Sequence, residues 1–375
     1  MKQVVIENPV INSPFEEPAR HFRFSEDGIT NEIAAGRRPS SYFIPIASPR
    51  KKKTGQLSFE TQWTQDRIEE NKFINQVRGK VKEWREGRYT RDVTKSTARL
   101  LEHWTHPDRD PSRRFFYCQI EAVQTAIYLT EVAGRTGDRY MENRLLEWND
   151  AHNPGLYRIA FKMATGSGKT VVMAMLLAWH TLNKLDAPQD ARFGDAFLIV
   201  SPGITIKDRL RVLLPTDPQN YYDRWDILPF GLKGEIRKAK VVITNFHAMK
   251  LRERSGSSNV GKIHKEILRG NPFQEAPGAM VRRVCRELGN KKNIIVINDE
   301  AHHCYRGKPP EEEEKLVGDE RKEVERREEA ARVWLTGLDA VQKKLGIRAI
   351  YDLSATPFFL RGSGVGAFFS HQILH

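Results

Sequence analysis

Met163-Ala-Thr-Gly-Ser-Gly-Lys-Thr170 is built from residue types that bind phosphate. Gly166 and Gly168 let a turn close tightly, and Thr165 and Ser167 complete it, so that backbone N–H groups converge on a polyphosphate. Lys169 brings a point charge to the β- and γ-phosphates, and Thr170 offers a hydroxyl to a magnesium ion. A bare Gly-Lys-Thr is weak evidence, because a Gly-rich turn without a ligand has the same letters. This one follows an apolar run and precedes a long amphipathic stretch, the context that places phosphates at a helix N-terminus. A second stretch, Ile294-Ile-Val-Ile-Asn298, is apolar and ends in Asp299-Glu300-Ala301-His302. An acidic pair at the end of a buried strand is costly unless it meets a cation or a polar network. Asp299 is placed to hold magnesium through its water shell, and Glu300 to polarise an attacking water. Both roles belong to phosphoanhydride hydrolysis.

Such groups need strands that end beside one another. From Leu156 the chain alternates strand and helix. Strands are expected at Tyr157–Lys162, Ala196–Ser201, Lys240–Thr244, Asn293–Asn298 and Arg348–Leu353, with a helix from about Lys169 to Leu182. Short, nearly all-apolar, β-branched strands separated by helices mark an α/β fold, with a mostly parallel sheet covered by helices on both faces. Ligands in such sheets bind at the carboxyl ends of the strands, and both stretches lie at such ends. Another helix opens at Phe115 and runs to about Val132. Glu311–Arg332 is charged, with few apolar residues, and is expected as an exposed helical insertion. A short segment is expected around Leu145–Trp148.

The first 95 residues differ in texture. Pro9, Pro14, Pro18, Pro39, Pro45 and Pro49 interrupt helices, and Tyr42-Phe43-Ile44 suits an edge strand. From Phe59 to about Glu86 the apolar spacing turns helical. Arg78–Trp104 holds eight Lys or Arg against four Asp or Glu, mixed with Trp84, Tyr89 and Trp104. That mixture suits a nucleic-acid path or, more simply, an exposed helix face. Lys51-Lys52-Lys53 reads as a solvated loop.

The 375 residues carry a formal net charge of +13 and a pI of about 9.6. The excess favours a polyanionic partner through counterion release, although solvated lysines on a basic protein give the same balance. Three cysteines without metal or disulfide spacing suggest a reducing compartment. The longest apolar stretch, Val171 to Trp179, is far short of the ~20 residues of a spanning helix. A cytoplasmic location and no membrane partner are the expectation.

Met-Ala-Thr-Gly-Ser-Gly-Lys-Thr, Asp-Glu-Ala-His and Ser354-Ala355-Thr356 occur in the order of motifs I, II and III of superfamily 2 helicases and translocases, and resemble them. Met163 stands where a stricter motif I has its first glycine; the superfamily commonly lacks it. Within the superfamily the chain resembles the helicase-like subunit of type III restriction enzymes. Pro202-Gly203-Ile-Thr205 and Thr244-Asn245-Phe-His-Ala are similar to motifs Ia and Ib of that group. The resemblance covers roughly residues 115 to 360. It implies a RecA-like, P-loop ATP-binding lobe over 96–375, preceded by an irregular and helical accessory region over 1–95.

By the same resemblance, Gln119 reads the adenine edge, and Gly166, Gly168, Lys169 and Thr170 hold phosphates and Mg²⁺. Asp299 and Glu300 bind metal and activate water. His302, Ser354 and Thr356 couple nucleotide state to nucleic acid. Pro202, Gly203, Thr205, Thr244 and Asn245 touch the phosphodiester backbone. The implied cofactors are ATP and Mg²⁺. The implied partners are duplex DNA, a methyltransferase or specificity subunit, and a separate chain carrying a second lobe.

Only nineteen residues follow Thr356, and Arg361 lies too close to motif III to be the second lobe's arginine. The expectation is therefore the N-terminal part of a longer enzyme, cut by truncation, frameshift or gene splitting, that binds ATP and turns it over weakly alone. The competing readings are a non-catalytic module that binds ATP and nucleic acid, and a P-loop kinase for a small molecule. The net charge and the Asp-Glu-Ala-His and Ser-Ala-Thr segments disfavour the kinase.

Overall fold

The computed structural model describes residues 8–25, 28–43, 68–70, 72–87, 90–252, 274–304, 319–355 and 372–374. Thr356, Arg361, Tyr89, Lys51–Lys53, the expected helix over 59–67 and the part of the charged stretch before Asp319 lie outside them.

The strands are β1 (Arg20–Ser25), β2 (Gly28–Ala35), β3 (Ser41–Phe43), β4 (Ile68–Glu70), β5 (Arg158–Lys162), β6 (Ala196–Ser201), β7 (Lys240–Asn245), β8 (Ile294–Asp299), β9 (Ile347–Ser354) and β10 (Gln372–Leu374). The helices are α1 (Lys72–Glu86), α2 (Lys95–Trp104), α3 (Tyr117–Ile127), α4 (Arg139–His152), α5 (Lys169–Asp186), α6 (Ile204–Arg209), α7 (Tyr221–Arg224), α8 (Pro277–Val284) and α9 (Asp319–Leu345). Strands β10-β5-β9-β8-β6-β7 form one sheet in that order, and each neighbouring pair is parallel. The five strands expected from the sequence all form, within a residue or two of their expected ends.

The sheet is apolar because both faces are covered. Along β8, Ile295 and Ile297 face one buried cluster, with α1, α2, α3 and α5. Ile294 and Val296 face the other, with α8 and α9. Alternation along a strand sends successive side chains into different cores.

Helix α5 is not amphipathic, contrary to the sequence expectation. Every residue from Val171 to Asn183 is buried, because the helix lies between the sheet and an outer layer. Trp179 and Asn183 find polar partners there. Trp179 Nε1–H donates to Glu131 (2.8 Å), and Asn183 Nδ2 to Thr97 Oγ1 (2.9 Å). Glu131 also accepts from the Thr97 hydroxyl (2.6 Å) and the Thr94 N–H (2.8 Å). It reaches them from a π-turn, Tyr128–Val132, that continues α3.

The N-terminal region departs from expectation in two places. Ile68–Glu70 pairs antiparallel with Ser41–Phe43 instead of continuing a helix, so the helix begins at Lys72. Trp84 and Trp104 are buried core residues, which removes them from any nucleic-acid path. Phe73, Val77, Val81 and Trp84 join α1 to the same cluster as α5. The segment around Leu145 is a full helix, α4. The described part of the charged stretch is exposed at its charged positions, and the helix runs on past Arg332 into the core. Glu325, Arg326, Glu329 and Arg332 face solvent. From Ala331 onward, Trp334, Leu335, Leu338, Val341 and Leu345 dock α9 on the sheet at helical spacing.

Candidate nucleotide site

The turn between β5 and α5 is made by two left-handed glycines, Gly166 and Gly168, each at φ 81°. Ser167 closes the turn, its N–H and hydroxyl both donating to the Ala164 carbonyl (3.2 and 2.6 Å). A Cβ at Gly168 would overlap the Gln119 amide, whereas one at Gly166 would meet open space. Met163 is fully buried in the core, and its N–H donates to the Ser354 carbonyl (2.9 Å). A glycine there would keep the N–H bond but lose the buried side chain, which explains the apolar residue physically. Gly168 caps α5 without a side-chain hydrogen bond. The helix therefore presents backbone N–H groups and its positive dipole end to the turn.

Gln119 stands in the first turn of α3 and is buried. Its Oε1 accepts from the Phe116 N–H (2.9 Å), and its Nε2 donates to the Ser167 carbonyl (2.9 Å). The glutamine thus braces the cradle. The back of α3 is braced in turn by the N-terminal region. Arg37 makes a two-pronged bond to buried Glu121 (2.5 and 2.6 Å), and Arg85 donates to Tyr117 OH (2.9 Å).

Two strands away in the sheet, β8 ends at Asp299. Its carboxyl group is pushed up to about 6, first by burial and then by the Glu300 carboxylate, with Lys169 acting in the opposite sense. Glu300 takes a left-handed backbone, φ 47°. For a non-glycine residue that costs roughly 1–3 kcal/mol, and such strain clusters at functional sites. It re-aims the side chain: Glu300 Oε1 lies 3.5 Å from Lys169 Nζ, and Oε2 lies 3.5 Å from His302 Nδ1. His302 Nδ1 also shares a 2.9 Å hydrogen bond with Ser354 Oγ. Lys169, Glu300, His302 and Ser354 therefore form one contact series across β5, β8 and β9.

The remaining predicted residues gather at the far edge. β6 pairs with β7, Ser201 opposite Asn245, so Pro202–Thr205 and Thr244–Asn245 leave the sheet side by side. Ser201 Oγ lies 3.0 Å from the Gly203 carbonyl and 3.4 Å from that of Thr244. Thr205 is exposed. Thr244 is buried, and the Asn245 side chain accepts from the Ala248 N–H (3.0 Å). These two side chains shape the loop, and Thr205 faces outward.

Sequence reasoning missed a buried network behind the site. Arg158 Nη2 lies 2.8 Å from Asp352 Oδ2, and Asn298 Nδ2 donates to Asp352 Oδ1 (2.7 Å). Arg158 also reaches Asn153 Oδ1 (3.2 Å) and Cys304 Sγ (3.6 Å). The signal was present: charged or amide residues inside otherwise apolar strands must find one another when buried. Among the described residues no His, Cys, Asp and Glu cluster forms a preassembled metal site.

Fold and cradle define a P-loop NTPase lobe of the RecA-like type. The family model described as type III restriction enzyme, res subunit, matches residues 114–359. The chain belongs to that family, one of helicase superfamily 2, whose function is ATP-dependent and helicase-like. No curated protein and no solved structure is significantly similar to the chain. Among the described residues no helix is long and apolar enough to cross a membrane.

Proposed function

We propose that this chain is the ATP-binding motor lobe of a type III restriction-like enzyme, in which ATP hydrolysis drives movement on duplex DNA. The observation that carries this reading is the meeting of Lys169 and Glu300 at 3.5 Å above the carboxyl ends of β5 and β8, beside buried Asp299. Two carboxylates and a lysine converge where the α5 N-terminus can receive phosphate.

Gly166, Ser167, Gly168 and Lys169 bind the phosphates, with Thr165 opening the turn. Gln119 holds the turn and faces the adenine. A magnesium ion suits the hard oxygen set of the Thr170 hydroxyl and the Asp299 carboxylate, whose raised proton affinity a cation would relieve; it supplies charge neutralisation at the β- and γ-phosphates. Glu300 takes the proton from the attacking water. In the structure Glu300 and Lys169 neutralise each other. Nucleotide must part the pair before either works. His302 and Ser354, with Thr356 beyond the described residues, carry nucleotide state towards DNA. Pro202, Gly203 and Thr205, with the backbone of Thr244 and Asn245, contact phosphodiesters.

Residues 1–95 are an accessory region, in which Arg37 and Arg85 brace α3. A second lobe and a methyltransferase or specificity subunit complete the assembly, in the cytoplasm where its DNA lies.

Direct titration with ATP·Mg²⁺ and turnover assays with and without duplex DNA test the reading. Lys169→Ala should lower ATP affinity at least ~100-fold, the scale of a lost charge-assisted contact. Glu300→Gln should bind ATP normally and turn it over at least ~100-fold more slowly. Equal turnover by wild type and Glu300→Gln, with tight ATP binding in both, would favour a non-catalytic ATP- and DNA-binding module. Unchanged ATP affinity in Lys169→Ala would sink both readings.

A further inference from the structure

The sheet's second face carries a line of buried contacts from the β7 loop to the carboxylate pair. Phe246 follows Asn245 directly and opens the turn Phe246–Met249. Its ring lies parallel to that of Trp334 in α9, centroids 5.4 Å apart and planes 5° from parallel. Trp334 is fully buried. Its Nε1–H donates to Asn298 Oδ1 (3.1 Å). Asn298 Nδ2 donates in turn to Asp352 Oδ1 (2.7 Å), which Arg158 holds from β5. Asn298 immediately precedes Asp299. Asp352 stands two residues before Ser354, which bonds His302.

Packing alone does not require this arrangement. A phenylalanine would fill much of the same apolar space without an N–H to satisfy. The indole touches both the turn after β7 and the strand that ends in the acidic pair. Close-packed interiors transmit displacement because they lack slack. If Phe246 shifts, Trp334 must follow or lose the stack, and Trp334 cannot follow without straining its bond to Asn298.

We infer that Trp334 is a positioning residue that couples the loop after β7 to the Asp299–Glu300 pair. This rests on the functional reading above, in which that loop meets DNA and that pair meets nucleotide. Energetic coupling between two sites is reciprocal. Bound nucleotide therefore changes DNA affinity through Trp334, and bound DNA changes nucleotide affinity by the same factor.

The test uses the full chain, a labelled duplex DNA and a non-hydrolysable ATP analogue with Mg²⁺. In the wild type the analogue should change DNA affinity at least ~5-fold, the lower end of ordinary coupling. Trp334→Phe keeps a ring for the stack but loses the Nε1–H. It should bind each ligand alone within ~2-fold of wild type, while the coupling factor falls below ~2. Phe246→Leu, which removes the stack and keeps the Asn298 bond, should lose coupling as well. Thermal melting verifies that each variant is folded, and the second variant carries the test should the first fail to fold. A wild-type coupling factor in both folded variants overturns the inference, as does a wild type in which both ligands bind without affecting one another. Failure of the wild type to bind the analogue or the DNA at all is read in the single-ligand titrations, and it overturns the functional reading itself.

Discussion

Gly168 and Glu300 both sit in the left-handed region of backbone space, for different reasons. Gly168 must be small as well as flexible, because the Gln119 amide fills the space a Cβ would take. Gly166 needs only the flexibility. In nucleotide-free protein, Gly168→Ala should therefore lower the melting temperature more than Gly166→Ala. Both variants bear the ~1–2 kcal/mol of a left-handed alanine, and only Gly168→Ala also displaces Gln119. Equal shifts in a calorimetric scan would show that Gln119 yields without cost. Glu300 has no such excuse of size. Its strain is held in place by contacts to Lys169 and His302 on either side, and the product is a carboxylate aimed at the cradle.

At the scale of elements, β5, β8 and β9 are fastened from behind by Arg158, Asn298 and Asp352, all buried. A buried ion pair adds little net stability, because desolvation opposes the attraction, but removing one partner strands the other charge. Arg158→Met should therefore cost about 3–5 kcal/mol. Adding Asp352→Asn should recover part of that loss, since a neutral amide can still accept from Asn298. Urea titrations of the single and double variants measure the difference. A double variant no more stable than the single one would show that the charge on Asp352 is not what the arginine answers. The pair keeps three parallel strands in one register, and one-residue slips there would turn Asp299 and Ser354 to the wrong faces.

At the scale of the molecule, the +13 charge and the loops gathered over the β6–β7 edge favour backbone contacts with DNA over base reading. DNA affinity should fall at least ~10-fold between 50 and 200 mM salt, since counterion release scales with the phosphates contacted. It should also differ little between unrelated duplex sequences. Fluorescence anisotropy across a salt series reads both, and tight binding to one sequence that survives high salt would contradict the proposal.

The sequence by itself determined the parts with strong local signatures. The phosphate turn needs glycine at 166 and 168 and a lysine and threonine next to them, and those letters admit few other structures. The five core strands are short β-branched runs between polar breaks, and such runs stay strands because both their faces are buried. Tertiary structure decided what local pattern cannot encode. It set the order β5-β9-β8-β6-β7 and so brought Glu300 to Lys169 across 131 positions of sequence separation, 300 less 169. It buried Trp84 and Trp104, whose basic neighbours had suggested a surface, because apolar area is removed from water wherever a partner face exists. It also ran the helix of the charged stretch on into the core, and with it Trp334, whose meaning lies wholly in the distant residues it touches.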